Sequence, residues 1–325
     1  MSRYARQTQL PEVGLEGQSK LAAARVLVVG AGGLAAQVLP LLAGAGIGFI
    51  RIVDEDKIAL SNLHRQTLFT ESDLGASKAR VAAKRCTALN SEITVEPIET
   101  RLTPANAPDL MTGMDLVVDC ADSYAVSYTL SDLCKANKTP LISASVLGFQ
   151  GYVGGFCGTA PSLRAVFPDA PTQSGTCATL GVMGPAVASL GAMQAQMALT
   201  TCLDLNPSPL GQMMQLDLRN FRVSSFRFDG AQEPTQAFQF ISASDLSTQD
   251  KIVDLRGAGE APELLHSAAI RLDQTEVATA LGAENTDAKT RLALCCASGL
   301  RAWRAADDLH SIWPGEIVLV AASAS

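Results

Sequence analysis

Apolar residues along the chain fall into short unbroken runs separated by longer amphipathic stretches. Arg25–Val29 is such a run and reads as a strand buried on both faces. Gly30-Ala31-Gly32-Gly33 interrupts it, and residues 34–45 then carry helical periodicity closed by Gly44 and Gly46. Phe49–Val53 is a second apolar run, ending at Asp54. The alternation continues with a helix at 77–89, a strand at 93–98, a helix at 105–112, a strand at 116–120, a helix at 127–137 and a strand at 141–145. A further helix is predicted at 16–24, behind a short arm. Strand and helix in strict alternation predict an α/β fold, a Rossmann-like doubly wound sheet that is mostly parallel.

After Gly148 the texture changes. Residues 150–156 read as a strand and 157–175 as a loop rich in Pro, Gly and Thr. A long apolar helix is expected within 182–203, and 212–228 alternates as strands, an antiparallel extension of the sheet. Residues 229–237 carry no periodicity and read as a linker. A second, smaller α/β pattern begins at Phe238, with a strand at 251–255, a helix at 274–281, a strand at 291–295 and a helix from Leu300. The expected division is 1–228, a linker at 229–237, and 238–325.

Composition narrows this picture. A length of 325 residues suits about two domains, and 47% hydrophobic residues suffice for real cores. Lys plus Arg 25 against Asp plus Glu 32 gives a net charge of −7, which argues against nucleic acid as a partner. The uncharged runs 26–50 and 170–203 are broken by Gly, Pro and Gln, so they read as buried elements and not as membrane spans. No apolar signal core follows Met1-Ser2-Arg3, so a cytoplasmic location is expected, with the eight cysteines reduced.

The candidate chemistry begins at Gly30-x-Gly32-x-x-Ala35, between a strand and a helix, with Asp54 19 residues after Ala35. Glycines let the backbone approach a phosphate, the helix N-terminus offers N–H donors, and an acid ending the second strand suits ribose hydroxyls. This alone fits any nucleotide, including NAD, and leaves an oxidoreductase open. Ser61-Asn62-Leu63-His64-Arg65-Gln66, Lys78 and Asp122 then follow at strand and helix ends. Two cations, an amide and a carboxylate at one sheet edge suit a triphosphate with Mg²⁺.

These segments, together with Arg3-Tyr4-x-Arg6-Gln7, Gly33-Leu34 and Leu60-Ser61-Asn62-Leu63-x-Arg65-Gln66, resemble the MoeB/ThiF/HesA family, bacterial relatives of ubiquitin-activating enzymes, over about residues 1–228. The resemblance implies adenylation by ATP of the C-terminal glycine of a ubiquitin-like sulfur-carrier protein ending in Gly-Gly. That step prepares thiocarboxylate formation for molybdopterin, thiamin or a related product. By position, Gly30, Gly32 and Gly33 form the nucleotide loop and Asp54 holds ribose. Asn62, Arg65 and Lys78 contact phosphates, and Asp122 holds Mg²⁺. Arg6 reaches the ATP of a partner subunit, implying a homodimer. A cysteine desulfurase is a further expected partner. The alternatives are a non-catalytic carrier-docking protein, an NAD-dependent oxidoreductase, and a relative acting on a tRNA-base carboxylate.

The resemblance also bears on the cysteines. Family members often hold a structural zinc with two Cys-x-x-Cys pairs. Here Ser162 and Ala165 stand at the first pair and residues 222–226 offer no second, so no zinc is expected. Cys177 matches the crossover-loop cysteine, which in the family takes the carrier as a thioester or exchanges sulfur. The C-terminal part resembles a rhodanese, abbreviated to about 85 residues. Val253-Asp254-Leu255-Arg256 looks like its early strand-end motif, and Cys296-Ala297-Ser298-Gly299-Leu300-Arg301 like its active-site loop. There Cys296 would hold sulfur and pass it to the carrier adenylate, directly or through Cys177, with Arg301 supporting the loop. Cys295 is expected to point into the core, and Trp303 and Trp313 to be core residues.

Overall fold

The computed structural model describes residues 3–170, 181–282 and 289–322. Helix α1 (Gly14–Ala23) leads into β1 (Arg25–Val29), whose last four residues are 3% exposed or less. Helix α2 (Ala35–Ala45) follows the glycine turn and ends at Gly46 in the left-handed conformation, as expected of a C-terminal glycine. β2 (Phe49–Val53), α3 (Lys78–Leu89), β3 (Thr94–Ile98), α4 (Ala107–Met111), β4 (Leu116–Asp119), α5 (Tyr124–Asn137) and β5 (Pro140–Leu147) complete the parallel half. Then come β6 (Gln150–Cys157), the short α6 (Leu163–Val166), α7 (Gly184–Leu203), β7 (Gln212–Asp217) and β8 (Arg222–Arg227). These eight strands form one sheet in the order β3-β2-β1-β4-β5-β6-β7-β8. The pairings from β3 to β5 are parallel and those from β5 to β8 antiparallel, as the periodicity predicted.

The second sheet contains β9 (Gln239–Phe240), β10 (Lys251–Asp254), β11 (Ile270–Arg271), β12 (Leu292–Cys296) and β13 (Ile317–Ala321), with α8 (Val277–Gly282) and α9 (Leu300–Leu309) between them. All its pairings are parallel, in the order β11-β10-β12-β13-β9. Two-residue strands such as β9 and β11 are too short to show a period, so the sequence reading passed over them. It also passed over β13, and it started α5 three residues late.

One core lies between the first sheet and α2, α3 and α7. The opposite face, with Leu27, Val117, Tyr128 and Leu130, runs without a break into the second sheet through Phe238, Leu294, Cys296 and Trp303. Tyr128 of α5 meets Trp303 of α9 edge to face, with ring centroids 4.6 Å apart. Cys295 points to the other side of its sheet, among Ile252, Val318 and Val320. Trp303 and Trp313 are buried, as expected.

The segment 229–237 lacks regular structure, but it is tied down. The Glu233 carboxylate accepts from Ser162 N–H (2.9 Å) and Ser162 Oγ (2.6 Å) and pairs with Lys135 Nζ (2.8 Å). Lys135 and Ser162 hold the Glu233 carboxyl below its ordinary range even though burial opposes this. Ser162, at a position where the family resemblance places a zinc cysteine, therefore fastens the segment to the first sheet's helices. No helix among the described residues is long and apolar enough to cross a membrane.

Candidate active site

The carboxyl ends of β1, β2 and β4 converge, and the parallel ladder dictates the meeting. Gly30 N–H donates to Val53 C=O (2.8 Å) and Cys120 N–H to Val29 C=O (2.8 Å). Gly30 adopts φ +89°, and a Cβ there would lie 2.7 Å from Cys120 C=O, so both conformation and space require glycine. A Cβ on Gly33 would lie 2.7 Å from Val187 Cγ1 of α7 and 3.5 Å from Arg65 Cγ. The glycine loop is thus pressed between α7 and the 60–66 turn.

Asp54 grips this loop. Its carboxylate accepts from Ala31 N–H (2.6 Å) and from Asp56 N–H (2.7 Å). Burial raises the Asp54 carboxyl above its ordinary 3.8, while the Ala31 N–H and the nearby Lys78 charge pull it back. Lys78 is 5% exposed and its Nζ donates to Asp56 Oδ2 (2.7 Å). It is a buried cation next to the loop, where a lone lysine would by default be solvated. Arg65 is half-buried, and its Nη1 donates to His64 Nε2 (2.8 Å) and Ser61 C=O (3.3 Å). Asn62 C=O accepts the N–H groups of Arg65 (3.1 Å) and Gln66 (3.0 Å), closing the turn that carries them. Asp122 is exposed just after β4.

Gly30, Gly33, Asp54, Arg65 and Lys78 are therefore joined through one loop. Arg6 is elsewhere within the chain. Its exposed Nη1 meets Gln9 Oε1 (3.5 Å), in an N-terminal turn anchored by Gln7 on Ala45 C=O at the far end of α2. Cys177 lies outside the described residues. Two hollows of ≈ 350 and ≈ 260 Å³ border residues 11–17 with 203–205, and 236–239 with 315–317, away from the loop.

Two groups at the site have no role assigned from the sequence, Gln66 of the 60–66 motif and Asp119. Gln66 is buried against the loop, and its Nε2 lies 3.6 Å from where a Gly32 Cβ would stand. Asp119, the last residue of β4, is fully buried. Its carboxylate accepts from Ser143 Oγ (2.8 Å) and from Ala121 N–H (3.1 Å), so it shapes the turn leading to Asp122. A polar residue ending the apolar run Leu-Val-Val was the available signal. Burial pushes the Asp119 carboxyl up to about 6, opposed by hydrogen bonds from Ser127, Ser143 and Ala121 and aided by the Asp122 charge. A carboxyl that binds its proton more tightly when folded stabilises the fold most below its ordinary 3.8, and that stabilisation is lost as pH rises through 6. In Asp119→Asn the amide still accepts from Ala121 but does not titrate. Denaturant unfolding should find the variant gaining on wild type by about 2 kcal/mol between pH 4 and pH 8.

In the second sheet, Cys296 Sγ accepts from Gly299 N–H (3.1 Å) and Ala302 N–H (3.4 Å), at the loop that opens α9. Arg301 donates to Leu255 C=O (2.9 Å) and forks onto Glu260 (2.5 and 2.8 Å). The thiol itself is 0% exposed. Asp254, in the strand-end motif, is buried and held by Arg256 (2.7 and 2.9 Å) and Leu265 N–H (3.0 Å). Burial lifts the thiols of Cys86, Cys157 and Cys295 in the core, and of Cys202 at its edge, to about 12, so they stay protonated. Among the described residues no three His, Cys, Asp or Glu side chains group as a metal site.

The model of the ThiF family matches residues 4–237. Sulfur carrier protein adenylyltransferase from Thermus thermophilus is 39% identical over 225 residues, 67% of this chain and 83% of that one. Adenylyltransferase and sulfurtransferase MOCS3 from Bos taurus is 42% identical over 218 residues, 66% of this chain and 48% of that protein, so the chain matches about half of its length. A solved structure of E. coli MccB with ATP aligns at a TM-score of 0.61 and 22% identity, covering 70% of this chain and 72% of that one, a likeness of fold. With a family model covering most of its length and a relative aligned over more than four-fifths of its own, the chain belongs to the ThiF family.

Proposed function

We propose that the chain adenylates the C-terminal glycine of a ubiquitin-like sulfur carrier at the expense of ATP. The observation that carries this is the pairing of the Asp54-held glycine loop with the buried cation Lys78 and the Arg65 turn packed on Gly33. A dinucleotide needs the loop and the acid. Two cations beside them suit a triphosphate.

In the reaction, a carboxylate oxygen of the carrier's last glycine attacks the α-phosphorus of ATP. The bond from that phosphorus to the bridging oxygen breaks, and pyrophosphate leaves with the electron pair. Nucleophile and electrophile are both anionic, so positioning and neutralisation make up most of the catalysis. Asp54 takes the ribose hydroxyls, and Asn62, Arg65 and Lys78 hold the phosphates. The exposed Asp122 carboxylate, an oxygen donor, would hold a hard divalent cation such as Mg²⁺. Mg²⁺ there would neutralise part of the triphosphate charge. Arg6, remote from its own loop, serves the site of a second copy, and the working unit is a homodimer. A cysteine desulfurase supplies the sulfur.

The test is carrier-dependent exchange of labelled pyrophosphate into ATP against a panel of carriers ending in Gly-Gly. Exchange with at least one carrier and none without carrier is expected. Tight NAD binding with no exchange for any carrier would overturn the reading in favour of an oxidoreductase.

For the second sheet we propose a rhodanese-like unit in which Cys296 holds sulfur as a persulfide. Two N–H donors at the start of α9 support the thiolate and then the terminal sulfur. The complete burial of Cys296 favours a second reading, a docking module that retains the loop without the turnover. Thiocyanate formation from thiosulfate and cyanide, lost in Cys296→Ser, supports sulfur transfer. Its absence in the wild-type protein supports docking.

A further inference from the structure

Gln194 is 0% exposed in α7, on a face it shares with Leu190, Ala195, Met197 and Ala198. A carboxamide in such surroundings is costly unless its donors and its oxygen are engaged. All of its side-chain bonds leave the helix. Nε2 donates to Asp119 C=O (2.6 Å) and to Ile142 C=O (3.1 Å), and Oε1 accepts from the Cys120 thiol (3.4 Å). Asp119 ends β4, and Ile142 lies on β5 beside Val118. One amide thus takes carbonyls from two neighbouring strands where the chain turns toward Asp122.

The 119–122 turn is held from three sides. The Asp119 carboxylate ties it to Ser143 Oγ of β5 (2.8 Å), Cys120 N–H ties it to Val29 C=O of β1 (2.8 Å), and Gln194 ties it to α7. The same helix bears on the other two segments of the proposed site. A Cβ on Gly33 would lie 2.7 Å from Val187 Cγ1, one on Gly191 2.6 Å from Leu34 C=O, and one on Gly184 2.6 Å from His64 C=O. α7 is therefore a common backing for the glycine loop, the Arg65 turn and the Asp122 turn, and Gln194 is its hydrogen-bonded link to the third. We infer that Gln194 is a positioning residue: its carboxamide locks the Asp119–Cys120 turn to α7 and so sets the Asp122 carboxylate relative to the glycine loop and the Arg65 turn. The inference rests on the proposed ATP site and adds to it a residue that acts through Asp122.

The test compares wild type with Gln194→Met, which keeps the length of the side chain and removes its donors and its acceptor. Gln194→Glu is the conservative variant, because a carboxyl buried beside carbonyl oxygens stays protonated and retains one donor. Leu190→Ala is the control for helix packing alone, since Leu190 is 1% exposed on the same helix and its side chain forms no hydrogen bond. ATP affinity is measured by calorimetry in EDTA and in Mg²⁺, beside thermal melting and the Mg²⁺ dependence of pyrophosphate exchange. In Gln194→Met the Mg²⁺ concentration at half-maximal exchange should rise about tenfold or more, the scale on which losing the support of a metal-binding carboxylate weakens a site. Its ATP affinity in EDTA should match wild type, and the gain in affinity that Mg²⁺ brings should be largely lost. The Glu variant should recover part of both, and it carries the comparison, with a smaller shift in the same direction, where the Met variant does not fold. Leu190→Ala should melt lower and keep the wild-type Mg²⁺ dependence. An unchanged Mg²⁺ dependence in the folded Gln194 variants, or an equal shift in Leu190→Ala, overturns the inference while leaving the ATP site intact. A wild-type protein that neither binds ATP nor catalyses exchange overturns the ATP site, and this inference with it.

Discussion

Lys78→Met should lower carrier-dependent pyrophosphate exchange by about a thousandfold, a loss on the order of 4 kcal/mol of transition-state stabilisation. Lys78 is 5% exposed, so its charge acts in a medium that screens it far less than water does. The reaction brings a carboxylate onto a polyphosphate, and the mutual repulsion has to be neutralised where it arises. Methionine keeps the unbranched stem packed at the start of α3. The partner left behind, Asp56, has a side chain 61% exposed and regains water at little cost. Melting temperature should therefore fall by only a few degrees while exchange collapses. A fall in exchange that merely follows a loss of folded protein would contradict the role given to Lys78.

Arg164→Ala should cost about 3 kcal/mol of stability, through loss of a buried charge pair and of packing. The Arg164 side chain is 5% exposed. Its guanidinium forks onto Asp132 (2.7 and 2.9 Å), donates to Phe238 C=O (2.9 Å), and lies 4.9 Å from the Tyr128 ring centroid and 5.5 Å from that of Trp303. One side chain thus clasps α5 to the entrance and the helix of the second sheet. Together with the bonds of Ser162 and Lys135 to Glu233, it fastens the region where the family resemblance places a metal. Both tryptophans, Trp303 and Trp313, belong to the second sheet's unit. In urea, the fluorescence transition of Arg164→Ala should move below the far-ultraviolet circular dichroism transition, the second sheet separating first. Lysine should rescue little, since it offers no planar fork for Asp132 and Phe238. Coincident transitions at the wild-type midpoint would show that the clasp carries no stability.

The centre of the parallel sheet was legible because its strands β1 and β4 are buried on both faces and therefore read as unbroken apolar runs, as in Val26 to Val29. The glycine loop was legible because its glycines answer to backbone geometry and close contacts that other residues cannot meet. The second sheet was less so, since β9 and β11 are two residues long and gain their identity from pairing alone. Residues 229–237 read as a free linker because the contacts that bind Glu233 come from Ser162 and Lys135, far away in sequence. Asp119 and Gln66 were missed for a related reason. A polar residue declares itself buried mainly through its neighbours in space; the apolar run before Asp119 was a faint signal in sequence, and Gln66 stood inside a motif without a role of its own.

The central claim is that a carrier carboxylate is joined to AMP at the loop gripped by Asp54. Incubation with ATP, Mg²⁺ and a Gly-Gly-ending carrier, followed by intact-mass measurement of the carrier, tests it most directly. The account predicts a carrier heavier by one adenylyl group, released by hydroxylamine, with pyrophosphate formed in equal amount. Every carrier recovered at its original mass, while the protein stays folded and binds ATP, would contradict it.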